Sequence, residues 1–161
     1  MGMYTELVLG VDLVRDTPEE VIDILKYMIE GELEDPEPTV PDHPLFKTDR
    51  WRIMLRCDSH YFGGCSFSIL DSPRYKGDVY KLSIRSNLKN YDSEIELFLN
   101  WLAPYIETRG FIGHMRYEAF DDPWLIYYGL YDEDYIYLYE LEYVMQEKAV
   151  LNDNWLVEHI K

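Results

Sequence analysis

The sequence predicts an α+β fold: a mainly antiparallel sheet in the order β-α-β-β-β-α-β-β-β, with both helices on one face. Three observations predict it. Short segments alternate apolar and polar residues and are rich in β-branched and aromatic side chains. Two longer segments repeat apolar residues at three- and four-residue spacing. Gly, Pro and Asp clusters separate these segments. A chain of 161 residues can bury a core without disulfides or metals, so 1–161 reads as one domain, with 145–161 a peripheral C-terminal segment.

Residues 4–14 alternate loosely and contain several β-branched side chains, which suits a strand. A helix start follows. Thr17 can cap, Pro18 suits the first helical position and Glu20 completes a capping box. Glu19, Glu20 and Asp23 favour the positive end of the helix dipole, and Val21, Ile22, Ile24, Leu25, Met28 and Ile29 form the apolar stripe. Gly31 ends this helix. Pro36, Pro38, Pro41 and Pro44 then impose an extended, acidic connection over 32–46.

Three strands are expected next. In 51–57, Trp51, Ile53, Leu55 and Cys57 share one face, and Arg52, Met54 and Arg56 the other. Gly63-Gly64 marks a turn, after which Cys65, Phe67 and Ile69 alternate with serines in 65–70, the cysteines and Phe67 facing the core. In 79–86, Tyr80, Leu82 and Ile84 alternate with Lys81, Ser83 and Arg85. The second helix, 93–108, has Asp92 or Ser93 as cap and buries Ile95, Phe98, Leu99, Leu102 and Ile106; Pro104 should kink or shorten it. Strands 111–118, 124–129 and 135–144 complete the sheet, and Val150, Leu151, Trp155 and Leu156 suggest a short helix in the tail.

Charge is segregated along this chain. The whole carries −16, yet residues 47–116 hold eleven Lys/Arg against eight Asp/Glu. Residues 1–46 and 117–161 are strongly acidic, with nets of −10 and −9. Strand alternation projects Arg52, Arg56, Lys81, Arg85, His114 and Arg116 from the face opposite the helices. Arginine offers a planar fork matched to carboxylate or phosphate, so this set is the candidate site for an anion. Pairing with acids of neighbouring strands is its competing use. Tyr135, Tyr137 and Tyr139 would lie on the same face, as a stacking surface or a homodimer contact.

Other constellations are weaker. Cys57, His60 and Cys65 give one half of a zinc-type spacing, with His43 or His114 as a fourth ligand, but buried free thiols are the expectation. His114 beside Tyr117 and Glu118, and Asp58 beside His60, are isolated acid–base neighbours. No nucleophile elbow, glycine-rich phosphate loop or HExxH motif accompanies them. The expectation is a protein with no cofactor and no catalytic residue. Two cysteines and no signal-like start or long apolar run point to a reduced, cytoplasmic setting. The −16 charge argues against direct nucleic-acid or membrane binding by the molecule as a whole.

The stretches YTELVLGVDLVRDTPEEVIDILKYM (Tyr4–Met28), HPLFKTDRWRIMLR (His43–Arg56) and NLKNYDSEIELFLNWLAPYI (Asn87–Ile106) resemble small uncharacterised proteins of bacteriophage and prophage genomes. That resemblance implies a mobile-element context, where small acidic proteins often bind and inhibit host factors. A looser, topological likeness is to the GyrI-like ligand-binding domains, which duplicate β-α-β-β. Trp101-Leu102 followed by Tyr117-Glu118 is similar to the tryptophan and acidic residue of that fold.

The function expected from these readings is non-enzymatic binding of an anionic ligand or a host protein through the open sheet face. Two alternatives stand beside it. One is an acidic mimic of DNA that inhibits a nuclease. The other is a GyrI-like pocket with Glu118 as base of a hydrolase.

Overall fold

The structure is a computed structural model and describes residues 3–119 and 122–140. Six strands and two helices are present among them: β1 (Thr5–Asp12), α1 (Glu19–Glu30), β2 (Phe67–Asp71), β3 (Lys81–Leu88), α2 (Glu94–Leu102), β4 (Gly110–Tyr117), β5 (Trp124–Tyr128) and β6 (Ile136–Glu140). They form one sheet in the order β2-β3-β1-β4-β5-β6, with every neighbouring pair antiparallel. The fold is α+β. Each helix crosses between strands that are not neighbours: α1 joins β1 to β2 around β3, and α2 joins β3 to β4 around β1. Two split β-α-β units thus interlock, and β5 and β6 extend the sheet as a meander.

Alternation places the core. Leu7, Leu9 and Val11 of β1, Leu82 and Ile84 of β3, and Ile126 and Tyr128 of β5 are buried in one cluster. The same cluster takes Val21, Ile24, Leu25 and Met28 of α1, and Ile95, Phe98, Leu99 and Leu102 of α2. Both helices therefore cover one face, since the intervening residues Glu6, Val8, Gly10 and Asp12 point away from it.

The segment 51–57 is not a strand. Ile53 N–H donates to the Arg50 carbonyl (3.1 Å) and Arg56 N–H to that of Ile53 (3.0 Å), so the backbone runs through consecutive turns. Trp51, Met54 and Leu55 are the buried residues, a three- and four-residue spacing that suits turns and not a pleat. Trp51 packs edge-on against Phe46 (5.0 Å), which packs likewise against Trp101 of α2 (5.4 Å). The apolar side chains thus enter the core from above the helix-covered face.

β2 also departs from expectation, because it lies in the opposite orientation. Phe67 pairs with Arg85 and Ile69 with Ser83, leaving both apolar side chains half exposed (52% and 53%) on the face away from the helices. Leu70, opposite Leu82, faces inward instead, and Ser68 Oγ donates to the Leu55 carbonyl (2.5 Å). No strand lies between α1 and Gly63-Gly64, so that pair ends a loop and not a hairpin.

The helix ends differ in detail. Thr17 does not cap α1; its hydroxyl donates to the Val14 carbonyl (2.6 Å), and Pro18 holds the N-cap position. Gly31 ends the helix as expected, its N–H reaching the Tyr27 carbonyl (2.9 Å). α2 stops at Leu102, and Pro104 sits in a short 3-10 turn over Ala103–Tyr105. Ser93 makes no cap bond; the Asn90 side-chain oxygen instead accepts from Ile95 N–H (2.8 Å). The end of the strand expected over 135–144 and the tail helix lie outside the described residues.

The cysteines are not equivalent. Cys57 is half-buried and Cys65 exposed, which corrects the expectation that both are buried. Burial raises the Cys57 thiol above its usual range. A maleimide at mildly alkaline pH should therefore label Cys65 about tenfold faster than Cys57 or more. Peptide mapping of the labelled protein checks this, and equal rates would contradict the geometry.

Candidate site on the outer sheet face

The outer face of the sheet, away from the helices, carries an ionic cluster built on one carboxylate. Glu6 lies mid-sheet on β1 between Asn87 of β3 and Arg116 of β4. Its side chain is almost fully enclosed (residue 3% exposed). One carboxylate oxygen meets Arg85 Nη2 at 3.5 Å; the other meets Arg116 Nη2 at 3.0 Å and His114 Nε2 at 3.7 Å. Alternation explains the convergence: Glu6 and Val8 share a face with the residues opposite them, Arg116 and His114 on β4 and Arg85 on β3.

Two arginines against one carboxylate leave the cluster with a positive excess, which protonation of His114 would increase. A loop holds the arginines in place. Arg85 donates to the Gly63 carbonyl (2.5 Å), and the Arg116 guanidinium lies over the buried Phe62 ring (5.1 Å). Gly64 follows with φ +86°, a backbone conformation that favours glycine, and a Cβ there would press on the end of the Arg85 side chain (Nη1 at 2.9 Å). Asp58 anchors the loop, accepting from Ser66 Oγ (2.8 Å) and from Asn87 Nδ2 of β3 (3.4 Å). These bonds hold the Asp58 carboxyl below its usual range. Between the charges lies a depression of about 390 Å³ lined by Glu6, Val8, Arg85, His114, Arg116 and Pro123.

Aromatic side chains adjoin this depression on the same face. His114 is opposite Leu125, and Leu125 is opposite Tyr139. Phe111, Tyr127 and Tyr137 form the next row. Tyr127 packs edge-on against both Phe111 (5.6 Å) and Tyr139 (5.5 Å). Phe111 and Tyr139 keep 55% and 40% of their surface exposed. The hydroxyl of Tyr137 donates to the Glu133 carboxylate.

The residues expected at the site thus divide. Arg85, His114 and Arg116 come together, and Tyr137 and Tyr139 share their face. Lys81 is on that face too, but at its far end, paired with Asp12 (3.3 Å) and Asp78 (3.8 Å). Arg52 and Arg56 are not on it, because 51–57 is not a strand. Arg52 reaches both oxygens of Glu37 (2.8 and 3.0 Å), and Arg56 lines a depression with Glu30, Glu32 and Glu34. Tyr135 precedes β6 and lines a depression beside α2, on the helix side. Sequence reasoning does not single out Glu6, Phe62, Phe111 or Tyr127. For Glu6 the available signal is an acid at an outward position of a strand flanked by cation-bearing strands.

The remaining candidates are dispersed. His43 binds Asn100 (3.0 Å), and His60 stacks on Tyr61 (4.4 Å). Among the described residues no group of three or more His, Cys, Asp or Glu is placed to hold a metal ion. The Glu118 carboxylate accepts from Tyr4 N–H (2.8 Å) and so ties down the start of β1. Trp101 of α2 is buried among Phe46, Phe98 and Tyr105. The depression that Trp101 lines does not include Glu118. Among the described residues no helix is long and apolar enough to cross a membrane.

No protein-family model, curated protein or solved structure matches this chain.

Proposed function

We propose that this is a non-enzymatic binding protein that takes an anionic group on its outer sheet face, between Arg85, His114 and Arg116. The observation that carries the reading is the charge imbalance at Glu6: a single enclosed carboxylate aligns two guanidinium groups and an imidazole. Glu6 acts as the positioning residue. It holds the cations pointed at the depression while neutralising only part of their charge, and a carboxylate or phosphate from solvent would complete the balance. Other acids of this face support the choice of an anion as ligand, since Asp12 pairs with Lys81 and Asp71 with Arg74. A face whose carboxylates are paired in this way is a poor mimic of DNA.

A second reading is a protein partner, favoured by the exposure of Phe67 and Ile69 on edge strand β2 next to Arg85. The resemblance to bacteriophage proteins would make that partner a host protein.

Inorganic phosphate titrated into isotopically labelled protein tests the first reading. The backbone amide signals of Val8, Arg85, His114 and Arg116 should move together with one saturation curve. Arg85→Gln should weaken that curve about tenfold, the loss of one charge-assisted hydrogen bond. Shifts scattered over all basic residues, or none, would rule the reading out.

A further inference from the structure

We infer that the anion is the phosphate of a mononucleotide, whose base lies on the aromatic rows of β5 and β6. This rests on the anion-binding reading and adds the ligand class. Register supplies the first argument. Tyr127 is diagonal to His114 across one strand spacing, and Tyr139 is in line with it across two. Strand geometry puts them roughly 8 and 10 Å from His114 along the sheet. Leu125 fills the interval as an apolar floor. A ligand that fits this strip has a compact anion at one end and a planar apolar group at the other, joined by a short polar spacer. A nucleoside phosphate has that layout.

Charge supplies the second argument. The chain carries −16, so each added phosphate of a ligand meets long-range repulsion that one local cluster cannot offset. That disfavours a nucleic-acid strand, which brings one charge per nucleotide, and favours a ligand whose charge fits inside a single depression. Shape supplies the third. The loop carrying Phe62 and Gly63 closes over the Arg85 and Arg116 end, while the Leu125–Tyr139 end has two partly exposed rings, Phe111 and Tyr139. The anion would enter the walled end and the base would stay on the open rings. Stacking on such rings tolerates any base, so discrimination among bases should be weak.

Calorimetric titration of the whole protein with inorganic phosphate, ribose 5-phosphate, adenosine monophosphate, a single-stranded oligonucleotide and an acidic peptide tests this. Adenosine monophosphate should bind at least about tenfold tighter than ribose 5-phosphate, as expected for one stacked base. Tyr139→Ala should abolish that difference without changing phosphate affinity, and Tyr139→Phe should retain it. Should Tyr139→Ala fail to fold, Phe111→Ala is the second variant and should reduce the difference at least twofold. If phosphate and the mononucleotide bind equally in parent and variants, the nucleotide inference fails while the anion reading stands. If the oligonucleotide or the acidic peptide binds tighter than the mononucleotide, the inference is also overturned. If nothing binds, both fall.

Discussion

Replacing Gly113 with alanine should cost about 3 kcal/mol or more, since there is no room for a methyl group. A Cβ there would lie 2.0 Å from the Val8 carbonyl oxygen and 2.9 Å from both Val8 C and Leu9 Cα. All three atoms are backbone of β1, so no side chain can swing aside. Gly113 follows a register shift in β4, after Ile112, and there the two strands approach closely. Relief requires β1 and β4 to separate where Leu9 pairs with Gly113 and Val8 with His114. The ionic cluster depends on the same pairing, so the variant should lose phosphate binding along with stability. Gly10 is the internal control. It lies on the outer face of β1, where a methyl group would meet nothing within 4 Å, and Gly10→Ala should be neutral or stabilising by up to about 1 kcal/mol. Urea denaturation of the two variants beside the parent decides the matter; a Gly113→Ala midpoint close to that of Gly10→Ala would contradict the packing described.

How far the site can be read from residues alone depends on whether each strand has one buried face. β1, β3 and β4 do, β6 packs Ile136 and Leu138 partly buried against the core, and their alternation places Lys81, Arg85, His114, Arg116, Tyr137 and Tyr139 on the outer face. β2 does not. At the sheet edge it exposes Phe67 and Ile69, so the rule that larger apolar residues face the core gives the inverse orientation. Segment 51–57 fails for another reason: its apolar residues satisfy two periods at once. Trp51, Ile53 and Leu55 fit a strand, while Trp51, Met54 and Leu55 fit a helical turn, and only tertiary contact with Phe46 and α2 selects between them. That choice removes Arg52 and Arg56 from the site. Glu6 illustrates the remaining limit, because its partners lie 79 and 110 residues away and no local pattern connects them.

Arg50→Ala should destabilise the protein by about 3–5 kcal/mol, the usual consequence of leaving one member of a buried ion pair behind. Glu94, the first residue of α2, is 0% exposed, and its Oε1 meets Arg50 Nη1 at 3.2 Å. Its other oxygen accepts from Asp92 N–H (3.0 Å), which satisfies one lone pair but leaves the charge uncompensated once the guanidinium is gone. Arg50 also reaches Asp92 (3.5 Å) and lies over the Tyr91 ring (5.2 Å), so it clamps the 50–56 turns to the start of α2. Glu94→Gln removes the charge while keeping shape and hydrogen bonding, so the double variant Arg50→Ala, Glu94→Gln should be more stable than Arg50→Ala alone, although it contains one more change. Such non-additivity separates an uncompensated charge from lost packing, which would simply add. The effect should reach the binding face as well. The turns lead into Cys57, whose carbonyl accepts from Asn87 N–H of β3 (3.1 Å), and from there into the loop that places Phe62 and Gly63 over Arg116 and Arg85. Loosening the clamp should therefore weaken phosphate binding even under conditions where Arg50→Ala remains folded. An Arg50→Ala protein with parental stability, or a double variant whose loss is the sum of the two single losses, would show that the buried pair does not hold this part of the chain.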